Sequence, residues 1–317
     1  MSISVVRTAE AWWVLTPTGT ATRVETDATT TAELLADREA VDAAASSPGS
    51  VAVGDLSLVS PVTRSGRVVA QMTNFVSHVK DTNGNPEAVP LTFFRKASGS
   101  ISGPFDDVIH PGHVRLLDYE AEIGLVIGRE MPVGTKITED NLSEYVAALV
   151  VTNDVSARDV QLPQTQFYEA KSYPTFTPVG PALVLLDAYE LKRFSDLRLK
   201  LWVNGELRQN MTAADMIYEP VEALQSLARF QRLDPGDLIL TGTPVGTALS
   251  APPKPVHFLV SLLPDHVKWK LFFKGQSKNP KYLKHGDVVE VTVATDDGAI
   301  DLGRQRTVVK DQRPENS

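Results

Sequence analysis

The apolar residues of this chain fall into short runs, and almost every run is bounded by a turn former. Residues 122–127, 146–151, 182–186, 199–203, 238–241 and 288–293 each span only four to six positions. Runs of that length, rich in Val, Leu and Ile, suit buried strands. They fall far short of the roughly 20 apolar residues that a membrane-spanning helix needs. The turn chemistry is explicit. Asn204-Gly205 follows 199–203 as a hairpin turn would, Asp234-Pro235-Gly236-Asp237 precedes 238–241, and Lys284-His285-Gly286-Asp287 precedes 288–293. An α+β, β-rich chain is expected.

Helical patterns are fewer. Residues 29–45 are rich in Ala, Glu, Leu and Asp behind threonines that can cap a helix, and Ser46-Ser47-Pro48-Gly49-Ser50 stops it. Residues 218–232 carry Val221, Leu224, Leu227 and Phe230 at helical spacing. Thr138-Glu139-Asp140-Asn141 is a helix-start signal ahead of 142–151. Residues 3–7, 11–15 and 21–24 read as short strands. At about 150 residues per domain, 317 residues suggest two units. A boundary near residue 65 separates a small N-terminal α/β appendage, 1–65, from a main domain, 66–317.

Composition removes several classes of function. With no cysteine there is no disulfide, thiolate nucleophile, zinc–thiolate site or iron–sulfur cluster. Asp and Glu number 39 against 31 Lys and Arg, a formal net charge of -8, so no basic excess is available to neutralise nucleic-acid phosphates. The N-terminus lacks a basic region followed by an apolar core, so a cytoplasmic protein with no membrane partner is expected.

Chemistry must then rest on carboxylates, histidines and lysines. In Asp118-Tyr119-Glu120-Ala121-Glu122, Glu120 and Glu122 share one face of a strand, where two like charges need a cation between them or exposure to water. Asp154, in Thr152-Asn153-Asp154-Val155-Ser156, ends a buried apolar run and could supply a third carboxylate or cap a short helix. Three carboxylates and water would suit Mg²⁺, Mn²⁺ or Ca²⁺. His78 and Asp81 are i,i+3 neighbours on a helix, the spacing of a histidine base with its orienting carboxylate and also of ordinary surface residues. The polar stretch 81–89 reads as a flexible lid. The other five histidines read as structural or exposed.

Taken in order, these strings resemble the fumarylacetoacetate hydrolase family. The resemblance runs through residues 74–81 (NFVSHVKD), 118–124 (DYEAEIG), 153–161 (NDVSARDVQ), Lys171-Ser172-Tyr173, Pro178-Val179-Gly180-Pro181, Val203-Asn204-Gly205-Glu206, and Leu233-Asp234-Pro235-Gly236-Asp237 into Thr241-Gly242-Thr243-Pro244. It implies a mixed β-sandwich roll, a homodimer, and one Mg²⁺ or Mn²⁺ on Glu120, Glu122 and Asp154. It further implies a His78–Asp81 dyad and a catalytic Lys171, with Arg158, Gln161 and Thr243 at the substrate. Three positions depart from the usual pattern: Phe75 stands where many members have Tyr, Asp81 where many have Glu, and Pro174 where Asp is frequent. An extra segment, about 250–281, carries Phe258, Trp269, Phe272 and Phe273. It is expected to form a helix walling the pocket or packing on a partner, or a surface appendage. The activity expected first is metal-dependent hydrolysis of a C–C bond in a β-diketo or acylpyruvate-like acid. Decarboxylation of an oxaloacetate-type acid, or enol–keto isomerisation, is the alternative on the same site.

Overall fold

The structure is a computed structural model that describes residues 2–249 and 264–312. Phe258 and His257 lie outside the described residues. Its largest sheet has ten strands. From edge to edge these are Val51–Ala52, Thr20–Arg23, Trp12–Leu15, Ile3–Arg7, Leu183–Leu185, Val146–Asn153, Ala121–Ile127, Leu238–Leu240, Val68–Met72 and Thr92–Lys96. A five-stranded sheet runs Glu206–Thr212, Leu197–Val203, Val288–Thr295, Asp301–Asp311 and Val108–His110. Most neighbours are antiparallel; Leu238–Leu240 pairs in parallel with Val68–Met72.

Burial explains the two kinds of apolar run. Ala121–Ile127 is buried at every position because core packs on both faces of the large sheet. Val288–Thr295 alternates between half-buried and buried positions, as a strand with one core face does. The α+β, β-rich architecture inferred from the short runs is the one observed. The N-terminal strands extend the large sheet directly, because Ile3–Arg7 pairs antiparallel with Leu183–Leu185. Among the described residues no helix is long and apolar enough to cross a membrane.

The turn motifs act as the sequence suggests. Asn204 and Gly205 both have positive φ, 53° and 80°, and close the hairpin between Leu197–Val203 and Glu206–Thr212. The two x-x-Gly-Asp turns are built alike. In each, the aspartate side chain accepts the backbone N–H three residues earlier: Asp237 from Asp234 at 2.8 Å and Asp287 from Lys284 at 2.7 Å. Asp237 also takes the Arg67 backbone N–H at 2.7 Å and its guanidinium at 2.9 Å, which locks the parallel strand pair.

The helices differ from the sequence reading in length. Residues 29–45 form two helices, Thr31–Ala36 and Arg38–Ala45. Asp37 stands between them with non-helical φ and ψ; its carboxylate caps the second helix and accepts the Thr26 hydroxyl at 2.5 Å. The start signal before residue 142 gives one turn, Leu142–Tyr145, after which the chain joins the large sheet as Val146–Asn153. The segment 218–232 is helical only over Pro220–Ala228, opened by a Glu219–Glu222 capping box. Within the extra segment, Asp265–Gln276 is a helix. Trp269 stacks on Phe273, Phe272 meets both rings edge-on with centroids 5.7–5.9 Å away, and Phe273 packs against the core.

Asp237→Ala removes both the turn closure and the Arg67 partner. It is expected to lower stability by about 2 kcal/mol, read as a lower urea midpoint with an unchanged slope. A midpoint within error of the wild type would refute the locking role.

Candidate functional site

Strand register builds the site. Ala121 pairs with Asn153 and Glu122 with Thr152, so the next residues outward, Glu120 and Asp154, meet across the same two strands. The Asp154 backbone N–H donates to the Glu120 carbonyl at 2.8 Å. Glu120, Glu122 and Asp154 therefore converge, each with a carboxylate oxygen within 4.8 Å of the others, and all three are buried. They line a cavity of about 190 Å³. His78, Arg158, Gln161, Lys171 and Thr243 line it too. Thus every residue singled out from sequence except Asp81 borders one space.

Three buried cations hold the carboxylates. Lys171 Nζ bonds Glu120 Oε2 and lies 2.6 Å from Asp154 Oδ2. Arg158 donates to Glu120 Oε1, to Asp118 Oδ2 at 2.8 Å and to Gln161 Oε1 at 2.8 Å. Lys96 Nζ bonds Asp154 Oδ1 and the Phe176 carbonyl, the latter at 2.8 Å. Burial alone would raise the Glu120 carboxyl, but Arg158 and Lys171 outweigh it and hold the group well below the usual range. Glu122 has the opposite balance. Burial, then Asp154 and Glu120, push its carboxyl well above the usual value, and among the described residues its one bonded donor is the Gly242 N–H at 2.8 Å. A buried carboxylate in that position fits a hard divalent cation, because the donor set is entirely oxygen and lacks one positive charge beside Glu122.

His78 sits in the short helix Val76–Asp81, and its ring is buried. Asn74 anchors the entry to that helix. Its amide donates to the Tyr218 and Thr241 carbonyls at 3.0 and 2.9 Å, pinning the turn beside Gly242 and Thr243. Burial lowers the His78 pKa, and Nδ1 has no hydrogen-bond partner among the described residues. The expected dyad bond is not formed: Asp81 is exposed, while His78 faces inward. The reason is local. Asp81 is the last residue of a helix of six, and its short side chain points to water there. Arg158 makes three side-chain bonds within the site, so its guanidinium is already engaged by protein groups. Thr243 accepts from Gln209 at 2.9 Å.

Lys96, Asp118 and Gln209 also belong to this cluster, and the sequence reading did not single them out. Asp118 is fully buried and accepts from Arg158, from Tyr119 N at 2.8 Å, from Ala248 N at 2.7 Å and from Leu249 N at 3.1 Å. It thereby ties the carboxylate cluster to the start of the extra segment, where Leu249 forms part of the cavity wall. A lysine ending an apolar strand, as Lys96 does after Thr92-Phe93-Phe94, is the only local hint.

The Glu122 shift has a defined sign. Its folded pKa is raised, so its contribution to stability is complete below the unfolded value of about 4.3 and is lost as pH rises toward the folded value. In the presence of a chelator, Glu122→Gln should therefore flatten the fall in melting temperature as pH rises above about 4.3. Parallel pH profiles for wild type and variant would contradict this electrostatic reading.

Comparison with known proteins agrees with this geometry. The model of the fumarylacetoacetate (FAA) hydrolase C-terminal domain matches residues 67–310. Oxaloacetate tautomerase Fahd2a, mitochondrial, of Rattus norvegicus is 34% identical over 199 residues. That match spans 62% of this chain and 62% of the relative's length. A crystal structure described as a probable 2-hydroxyhepta-2,4-diene-1,7-dioate isomerase from Mycobacterium abscessus is 30% identical with a TM-score of 0.74, covering 99% of this chain and all of that one. The fumarylacetoacetate hydrolase of Exiguobacterium antarcticum is 27% identical with a TM-score of 0.70, covering 98% of this chain and all of that one. Fold, motif order and the buried carboxylate cluster lead to one assignment: this chain belongs to the fumarylacetoacetate hydrolase family.

Proposed function

We propose that this protein is a metal-dependent enzyme that moves a proton between carbon and oxygen in a small 2-oxo acid, an enol–keto tautomerisation. The observation that carries this reading is the state of His78. Its ring borders the carboxylate cavity, is kept neutral by burial, and makes no bond to Asp81. A neutral imidazole can accept a proton from the carbon beside a ketone and return it to the oxygen. Hydrolysis of a C–C bond asks for more, namely a water activated by a base that a carboxylate orients. The relatives named as a tautomerase and an isomerase support the same choice.

In this reading Glu120, Glu122 and Asp154 hold Mg²⁺ or Mn²⁺. When bound, that cation supplies Lewis acidity to the oxygens of the 2-oxo acid and acidifies the adjacent C–H. Lys171 helps keep Glu120 ionised and bridges it to Asp154, while Lys96 sets the rotation of Asp154. Arg158 orients Glu120 and Gln161, and the Thr243 hydroxyl, placed by Gln209, faces the substrate. Met72, Phe94, Phe167 and Leu249 give the cavity an apolar side that excludes water from the proton being moved.

His78→Gln is expected to lower the enol–keto rate on oxaloacetate by about 100-fold or more while magnesium affinity stays the same. Because burial lowers the His78 pKa, the acid limb of kcat/KM should lie below about pH 6.5. Wild-type rates in the His78→Gln protein would end the proton-carrier role. Cleavage products of an acylpyruvate, seen by mass spectrometry without faster enol–keto exchange, would favour hydrolysis instead. Glu122→Ala should weaken magnesium binding at least tenfold by calorimetry, and undiminished affinity would remove the metal assignment.

A further inference from the structure

Residues 266–286 carry six lysines, at 268, 270, 274, 278, 281 and 284, and no aspartate or glutamate. This is a concentrated positive segment in a chain whose net charge is -8. Lys270 and Lys274 stand on the outer face of helix Asp265–Gln276, beside Leu271, which is 47% exposed. Lys278, Lys281 and Lys284 are exposed along the chain that follows. None of these five makes an ion pair with a described residue. Lys270, Lys274 and Lys278 are spaced i,i+4 in sequence, so the first pair repels along the helix and offers the fold no compensating contact.

The segment is fixed in place and runs beside the cavity. Its inward side is held by Phe273, which packs against the core. The Asn279 amide donates to the Ala248 carbonyl at 2.7 Å, one residue before Leu249 in the cavity wall. The Leu283 N–H donates to the Leu117 carbonyl at 2.8 Å, next to Asp118. The segment that carries the exposed lysines is therefore anchored, at Asn279 and Leu283, to residues one position away from Leu249 and Asp118.

We propose that this lysine face attracts small carboxylate anions and raises their concentration at the mouth of the carboxylate cavity. The proposal rests on the reading above that the site takes a 2-oxo acid. An acidic protein repels such a substrate at long range. A positive patch beside the entrance reverses the sign locally, over a range of about 8–10 Å at moderate salt.

The test is a Lys270→Gln/Lys274→Gln/Lys278→Gln variant, with the corresponding triple arginine variant as control. Two quantities are measured from about 20 to 300 mM salt: the KM and kcat of enol–keto exchange on oxaloacetate, and the calorimetric affinity of the magnesium-loaded protein for oxalate. At low salt the glutamine variant should show KM and the oxalate Kd raised about fivefold with kcat unchanged, and the difference should vanish at high salt. The arginine variant should match the wild type. Equal low-salt values in wild type and glutamine variant would overturn the proposal, as would a difference that salt does not erase. So would loss of binding to phosphatidylserine vesicles with KM and oxalate Kd unchanged, which would give the face to a membrane surface. Absence of enol–keto exchange in the wild type would refute the tautomerase reading alone, since oxalate affinity still reports on the attraction.

Discussion

Four buried carboxylates and three buried cations, locked together at one end of the central strands, govern the rest of the structure. Asp118, Glu120, Glu122 and Asp154 face Lys96, Arg158 and Lys171. Burying ions is costly unless each is paired with good geometry. Here every cation bridges groups from different parts of the chain. Lys96 joins an edge strand to the end of Val146–Asn153, and Arg158 joins a helical turn to the residues that precede Ala121–Ile127. The network thus fixes where the strands end relative to one another, and among the described residues it leaves Glu122 without a bonded cation.

That imbalance connects stability to chemistry. A fully neutralised cluster would be a structural ion network, whereas one short of a positive charge is shaped to receive a cation. His78 stands apart from this network. Its ring is buried yet bonded to no carboxylate among the described residues, and desolvation is the largest influence on its charge state. Under the proposed function the two tasks are separate: the carboxylate–lysine lattice holds charge, and the imidazole moves the proton. Asp118 adds a third connection, from that lattice to the cavity wall at Leu249.

Much of this was legible residue by residue. The Asn204-Gly205 hairpin and the Gly236-Asp237 and Gly286-Asp287 turns could be read from sequence because glycine conformation and aspartate capping act within four residues. Glu120 and Glu122 were legible as a same-face pair because a strand repeats every two residues. Helix ends were less so. Asp37 splits one apparent helix in two because its carboxylate finds the Thr26 hydroxyl and a cap position, a choice that helical spacing does not encode. The helix expected from residue 142 is a single turn because the following residues gain more by joining the buried sheet.

By itself the sequence determined the β-rich class, the turns, the family and the carboxylates that meet in the cavity. All of these depend on local periodicity or on the order of short motifs. Only the tertiary structure decided which cation neutralises which carboxylate, that Glu122 is left without one, and that Asp81 does not reach His78. Lys96 is 58 residues from Asp154 in the chain, and Asp118 is 130 from Ala248. Contacts of that separation follow from strand register and loop closure, and burial then turns them into the charge states on which the chemistry depends.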